Sequence, residues 1–232
     1  MSSVNGLAAK RPPDQPRIVS EIVNRYVQAS RLQQTALRNE TMQVEITATV
    51  LKSRRQGQLR AIRRISGDGE VAYDILEKSG DEGIRRQVIG RYLTAESQAH
   101  DADATELTPV NYKFRLKAIV YQLGRRIQVL QLTPRKKKDG LFKGELWVDD
   151  ATGMPLRESG KLVKAPHPLL KGVAFTREYQ IGGGLAVPIH DEVTIDVRFW
   201  GRVALSIGFA NLEIYDGKND ADNTRCIDEL ER

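Results

Sequence analysis

The chain of 232 residues has a single cysteine, Cys226, so an internal disulfide framework and any zinc site built on cysteine are both excluded. Histidine is almost as scarce. His100, His167 and His190 are scattered, which leaves no His-rich metal centre. His167 sits between Pro166 and Pro168 in a loop. His190 precedes Asp191 and Glu192 at the start of a strand, where a surface histidine beside acids outweighs a metal or acid–base cluster. No apolar run approaches the roughly 18 residues that a membrane-spanning helix needs. No nucleotide fingerprint exists, because Gly182-Gly183-Gly184 leads from one strand into another and offers no helix N-terminus to a phosphate. Ser159-Gly160 lacks the strand–Ser–helix context of a nucleophile elbow. No constellation for catalysis, no metal site and no cofactor is therefore expected. Aromatic residues are only 6 % of the chain, and Phe142 alone lies near the densest basic run, so single-stranded nucleic acid has no stacking platform. Lys and Arg number 36 against 30 Asp and Glu, a net charge of +6 spread along the chain, which suggests mild attraction to acidic surfaces and no dedicated nucleic-acid site.

What is present is a core-forming chain, 40 % hydrophobic. Residues 1–17 read as a flexible lead, broken by Pro12, Pro13 and Pro16. The stretch Met1–Lys10 has no charged segment followed by an apolar one. This is the expectation for a cytoplasmic protein, or for one whose export signal has been removed. Residues 18–37 predict the clearest helix. Ile18, Ile22, Val23, Tyr26 and Val27 fall on one face, opposite Glu21, Arg25, Gln28 and Arg31.

The period then changes to two. Met42, Val44, Ile46, Ala48 and Val50 alternate with polar residues, the mark of a strand with one buried face. Gln56-Gly57 reads as a turn into a second strand, 59–65, and Ser66-Gly67-Asp68-Gly69 as a turn into a third, 71–76. Residues 84–97 read as a strand followed by a short helix. Residues 98–108 are polar and expected to be mobile. A second β series begins at Pro109, with strands at 112–118, 126–132, 144–149, 155–163, 175–181, 185–189, 193–199 and 203–209. Beyond Tyr215 the composition becomes polar, and 216–232 read as a loosely held tail. The sum is ten or eleven strands joined by tight turns, an antiparallel meander and not βαβ units. The expected fold is mainly β: one large, strongly curved antiparallel sheet with the N-terminal amphipathic helix against its concave face.

That architecture has a consequence for function. A helix is about 10–12 Å across, and the apolar face of ten strands is wider. Either a second element closes it, or the sheet curls into a filled barrel, or part of its concave face stays open to an apolar ligand. The loop Arg135-Lys136-Lys137-Lys138 is the densest basic run. It reads as a solvated hairpin tip or as a docking patch for an acidic partner or lipid headgroups.

The order of these elements resembles a known family. Met42-Gln43-Val44-Glu45-Ile46 after the helix, then Gly144-Glu145-Leu146-Trp147-Val148-Asp149 with Thr152-Gly153-Met154-Pro155-Leu156-Arg157, then Phe175-Thr176-Arg177-Glu178-Tyr179 leading to Val187-Pro188, resemble the LolA-like superfamily of outer-membrane lipoprotein-sorting proteins. That superfamily includes lipoprotein carriers and the lipid-binding part of RseB-type stress sensors. The resemblance covers residues 18–215, and its most specific part is the Trp-Val-Asp…Thr-Gly…Pro-Leu hairpin. It implies a half-open β barrel with helices at its mouth, a periplasmic location, and binding of the acyl chains of a lipid or lipoprotein without catalysis. The alternative it leaves open is an RseB-like module that senses lipid or protein. No cysteine precedes the helix, so a lipid-anchored receptor of the LolB kind is not expected.

The candidate cavity residues are the in-phase apolar members of adjacent strands. They are Val193, Ile195, Val197 and Phe199; Val203, Leu205, Ile207 and Phe209; Phe175 and Tyr179; and Leu146 and Val148. Ile22 and Tyr26 of the helix are expected to pack over them. Trp147 and Trp200 are out of phase and expected on the convex face or at an edge. Arg135, Lys136, Lys137 and Lys138 are the candidate docking residues toward a membrane or a membrane-protein donor or acceptor.

Overall fold

The computed structural model describes residues 15–97, 105–165, 170–198 and 201–214. The long helix α1 (Gln15–Ala36) comes first. Three strands follow, β1 (Glu40–Val50), β2 (Arg55–Ile65) and β3 (Val71–Gly80). A second helical stretch is built from α2 (Glu82–Ile84), one π segment (Arg85–Gly90) and α3 (Arg91–Ser97). Seven more strands complete the sheet: β4 (Tyr112–Gln122), β5 (Arg125–Pro134), β6 (Phe142–Asp149), β7 (Pro155–Leu162), β8 (Leu170–Gly182), β9 (Leu185–Val197) and β10 (Gly201–Ile214).

All ten strands form one antiparallel sheet in the order β3-β2-β1-β10-β9-β8-β7-β6-β5-β4. Only one junction departs from a plain meander, the pairing of β1 with β10. The edge strands β3 and β4 do not pair with each other, so the curved sheet is a half-open barrel, as expected. The helical stretch after β3 packs on the concave face over β1, β2, β3 and β10.

Local chemistry explains the elements. Pro16 lies in the first turn of α1, where its missing N–H has no helical partner to lose. Asn39, in the left-handed region at φ 59°, turns the chain from helix into β1. Burial alternates strictly along β1, with Met42, Val44, Ile46 and Ala48 at most 1 % exposed. Gly183 and Gly184, at φ 58° and 80°, make the two-residue turn between β8 and β9, a conformation that glycine adopts without strain.

Two apolar cores sit inside the barrel. One joins β1, β2, β3 and β10 to the second helical stretch through Ile46, Leu59, Tyr73, Ile89, Leu93 and Leu205. The other joins α1 to β4, β5 and β6 through Ile22, Tyr26, Tyr112, Leu130, Leu132 and Leu146.

Several expectations are corrected. Residues 82–97 are helical throughout and contain no strand. The apolar residues Ile84, Val88, Ile89 and Leu93 reach the first core from a helix whose register a π segment shifts. Gln56-Gly57 lies inside β2, and the turn falls at 51–54. Gly57 is needed there because a Cβ would stand 2.9 Å from Arg85 Cγ, where the second helical stretch packs on the strand backbone. The helix α1 starts three residues earlier than expected, at Gln15. The stretch 98–108 was expected to be mobile as a whole, yet Leu107 and Thr108 are buried at 8 % and 6 % exposure, and Thr108 accepts hydrogen bonds from the backbone of Asn111 and Tyr112. Residues 98–104 of that stretch, the lead up to residue 14 and the tail from residue 215 lie outside the described residues, as do His167, Phe199 and Trp200.

Candidate functional site: a cleft between two helical covers

The strand register places the expected residues on one face. Val193 pairs with Phe175 on one side and Leu205 on the other, and Ile195 pairs with Val203. Leu205, Ile207 and Phe209 in turn face Ala48, Ile46 and Val44 across β1. Directly opposed residues share a face, so these sets all point into the barrel. Trp147 takes the other face, where the Arg157 guanidinium lies 5.7 Å from its ring centre. Its indole N–H donates to Glu145 at 3.4 Å, as expected of a tryptophan on the convex side. His190 also lies outside the barrel, beside Glu192 at 3.7 Å.

The covers divide this inner face unequally. Leu146, Val148, Ile22 and Tyr26 are sealed in the α1 core, and Val203, Leu205 and Ile207 in the other, all at 5 % exposure or less. They hold the two covers to the sheet. Between the two cores the inner residues of β7, β8 and β9 stay only partly covered. Phe175 leans on the α1 core, and Val193, Ile195, Val197 and Phe209 lean on the opposite one, each on its margin. α1 therefore covers only part of the inner face, a second helical cover takes another part, and the partly covered residues of β7, β8 and β9 floor a cleft between them.

Both covers are fastened to the sheet by polar contacts at their ends. Arg25 donates to the Asp150 backbone oxygen at 2.7 Å and to its Oδ1 at 3.1 Å, which ties α1 to the β6–β7 turn. That turn is built for the purpose. Asp149 Oδ1 accepts from the backbone N–H groups of Ala151 and Thr152 and from the Thr152 hydroxyl. Gly153 (φ 74°) lets the Arg25 backbone approach to 3.0 Å of where a Cβ would stand. Farther along α1, the Gln33 amide donates to the Ala186 carbonyl at 2.7 Å and accepts from its N–H at 3.1 Å, which pins the helix to β9. The second cover is held at its start by Arg55 and Asp81 and at its end by Arg63, which donates to both Glu40 and Glu96 at 2.9 Å. Tyr73 donates to Glu96 as well, at 2.5 Å.

The cleft floor is not wholly apolar. Glu158, Arg177, Asp191 and Ile207 form one row across β7, β8, β9 and β10, in phase with Phe175 and Val193. Arg177 grips Asp191 with Nε at 2.9 Å from each carboxylate oxygen and Nη2 at 2.6 Å from Oδ2. The carboxylate is 4 % exposed and the guanidinium side chain 39 %, so the pair is rooted in the wall while the arginine faces open space. Burial raises the Tyr179 hydroxyl well above the ordinary tyrosine range, with Glu158 adding to it and Arg177 opposing. Burial pushes the Glu158 carboxyl above its ordinary range, against the pull of Arg177 and Tyr179. Burial also opposes the Arg177 charge, but Tyr179 and Asp191 outweigh it and keep the guanidinium firmly protonated. Burial raises the Tyr26 and Tyr92 hydroxyls well above the ordinary tyrosine range, with Glu158 adding to the first and Glu96 to the second.

The basic run 135–138 lies in the β5–β6 connection and is exposed, as expected. Its first member is not free, because Arg135 Nε donates to the Pro109 carbonyl at 2.7 Å. Among the described residues no cluster of three or more His, Cys, Asp or Glu could hold a metal ion. No described helix is long and apolar enough to cross a membrane.

No protein-family model matches the sequence, and no curated protein matches it. Solved structures similar to it include a LolA superfamily protein from Nitrosomonas europaea, 11 % identical, covering 85 % of this chain and 94 % of that one at a TM-score of 0.46. An outer membrane lipoprotein-sorting protein domain from Vibrio parahaemolyticus is 13 % identical, covering 92 % of this chain and 100 % of that one at 0.45. A DUF1329 family protein from Desulfovibrio piger is 13 % identical, covering 88 % of this chain and 95 % of that one at 0.46.

Proposed function

We propose that this protein binds the acyl chains of a lipid or lipoprotein in the cleft between its two helical covers, as a non-catalytic carrier working in the periplasm toward the outer membrane. One observation carries the reading: Phe175, Val193, Ile195 and Val197 point into the barrel, yet neither cover seals them. An apolar wall left partly wet inside a folded protein is a binding surface, and each Å² of it removed from water by a ligand contributes about 25 cal/mol. The periplasmic location rests on the sequence resemblance over residues 18–215.

Native mass spectrometry of protein purified gently from cells tests this. A population heavier by the mass of one lipid, and returned to the bare mass by organic extraction, is the expected result. A single bare mass under all gentle conditions contradicts it.

A further inference from the structure

The cleft floor holds more charge than a wall for hydrocarbon needs, and its arrangement selects among amphiphiles. Resting on the acyl-binding reading above, we infer that the Glu158–Arg177–Asp191 row is a subsite for an uncharged, oxygen-bearing group on the ligand, such as the ester or hydroxyl of a neutral acyl ester, and that it rejects a free carboxylate.

Three observations lead there. Arg177 is the row's one cation, and Nε and Nη2 are already turned onto Asp191. Nη1 takes no part in that grip and belongs to a side chain 39 % accessible, so it is left to donate to a ligand without surplus positive charge. Glu158 stands two strands from Asp191 in the same row, so an incoming anion meets two carboxyls and one committed guanidinium. The nearest charges along the same inner face add no cation, because Arg63 is taken up by both Glu40 and Glu96. An ester carbonyl, by contrast, accepts from Arg177 and brings no charge to be desolvated, while a ligand hydroxyl can donate to Glu158.

The experiment is displacement of a neutral apolar dye, N-phenyl-1-naphthylamine, by two ligands of equal chain length, monopalmitoylglycerol and palmitate, at about pH 8, where a free carboxyl is ionised. Wild type should bind the glyceride at least about tenfold more tightly, a difference near 1.4 kcal/mol. Glu158→Gln should narrow that ratio severalfold by strengthening palmitate, and Glu158→Leu should narrow it too. Thermal melting confirms that each variant is folded. Glu192→Gln on the convex face should leave the ratio where it was. Palmitate binding as tightly as the glyceride, or a ratio unmoved in both folded Glu158 variants, overturns the inference and leaves acyl binding standing. Failure of both ligands to displace the dye saturably overturns acyl binding itself, and the subsite with it.

Discussion

Arg85 lies against the bare backbone of Gly57, so near that a methyl group on the glycine would meet its Cγ at 2.9 Å. The second helical cover therefore rests directly on β2, with no side chain between. Gly57→Val should push the cover outward and cost about 1–3 kcal/mol, the usual range for overpacking. Urea denaturation should show the loss, and amide exchange should quicken along 82–97 more than along α1. Equal exchange in both covers would mean that the contact does not set the seat of the second.

The first cover depends on its apolar stripe. Ile22 and Tyr26 are 2 % and 5 % exposed beneath α1. Changing both to Asp buries charge without a partner and should cost roughly 3 kcal/mol or more, or raise binding of a hydrophobic dye as the helix lifts. A variant that melts like wild type and binds no extra dye would contradict this packing.

The Arg177–Asp191 pair should behave as a unit. Removing the arginine alone, as Arg177→Met, strands a carboxylate that is 4 % exposed. Breaking a buried pair costs about 3–5 kcal/mol, and the accessible arginine places this one at the low end. Adding Asp191→Asn should recover much of the loss. A double-mutant cycle in urea reads the coupling, and strict additivity would show that the pair contributes nothing.

Glu96 and Glu40 share Arg63 and should titrate with opposite signs. Burial works against the Glu96 charge, but Arg63 and Tyr73 outweigh it and hold its carboxyl below the ordinary range. Its contribution is full above the unfolded value of about 4.3 and is lost as pH falls through the folded one. Burial pushes Glu40 upward, and Arg63 only partly offsets it. Its contribution is full below about 4.3 and is lost as pH rises through the raised folded value. In urea midpoints taken across pH, Glu96→Gln should flatten the acid limb, and Glu40→Gln the limb above it. The reverse assignment would refute the two environments.

The basic connection should act on delivery. Lys136 and Lys137 are exposed, and charge so placed works mainly on encounter, screened beyond about 8–10 Å at physiological salt. Changing both to Ser, and sparing Arg135 for its bond to Pro109, should leave equilibrium affinity for a fluorescent fatty acid as it was. Transfer to anionic vesicles should become slower and less dependent on salt. Equal transfer rates at low salt would return the run to a solvated turn.

Much of this was legible in period-two alternation. The phases of Val193 and Ile195, and of Val203 and Leu205, placed those strands on one face correctly, because register in an antiparallel pair follows from the tight turn and the pattern together. The hairpin around Asp149 and Gly153 was also legible, and the structure supplies its reason: it seats Arg25. The second cover was legible only as a strand and a short helix, because its apolar residues, Ile84, Val88, Ile89 and Leu93, are spread across a π segment, which breaks the helical period. The polar floor was missed although its signal was there. Arg177 lies midway between Phe175 and Tyr179, and Asp191 two residues before Val193, each in phase with the apolar set. Alternation puts these charges on the same wall as the apolar set. The division of the inner face into sealed and open parts depends on where two helices come to rest, and no local pattern encodes that.

The most direct test of the cleft is to ask where an acyl chain lies. A palmitoyl probe carrying a photoreactive diazirine near the middle of its chain, bound to the full-length protein and irradiated, should crosslink to β8 and β9 at Phe175, Val193, Ile195 or Val197, and excess unlabelled ligand should abolish the products. Crosslinks confined to the convex face, or labelling that never saturates, would contradict the account.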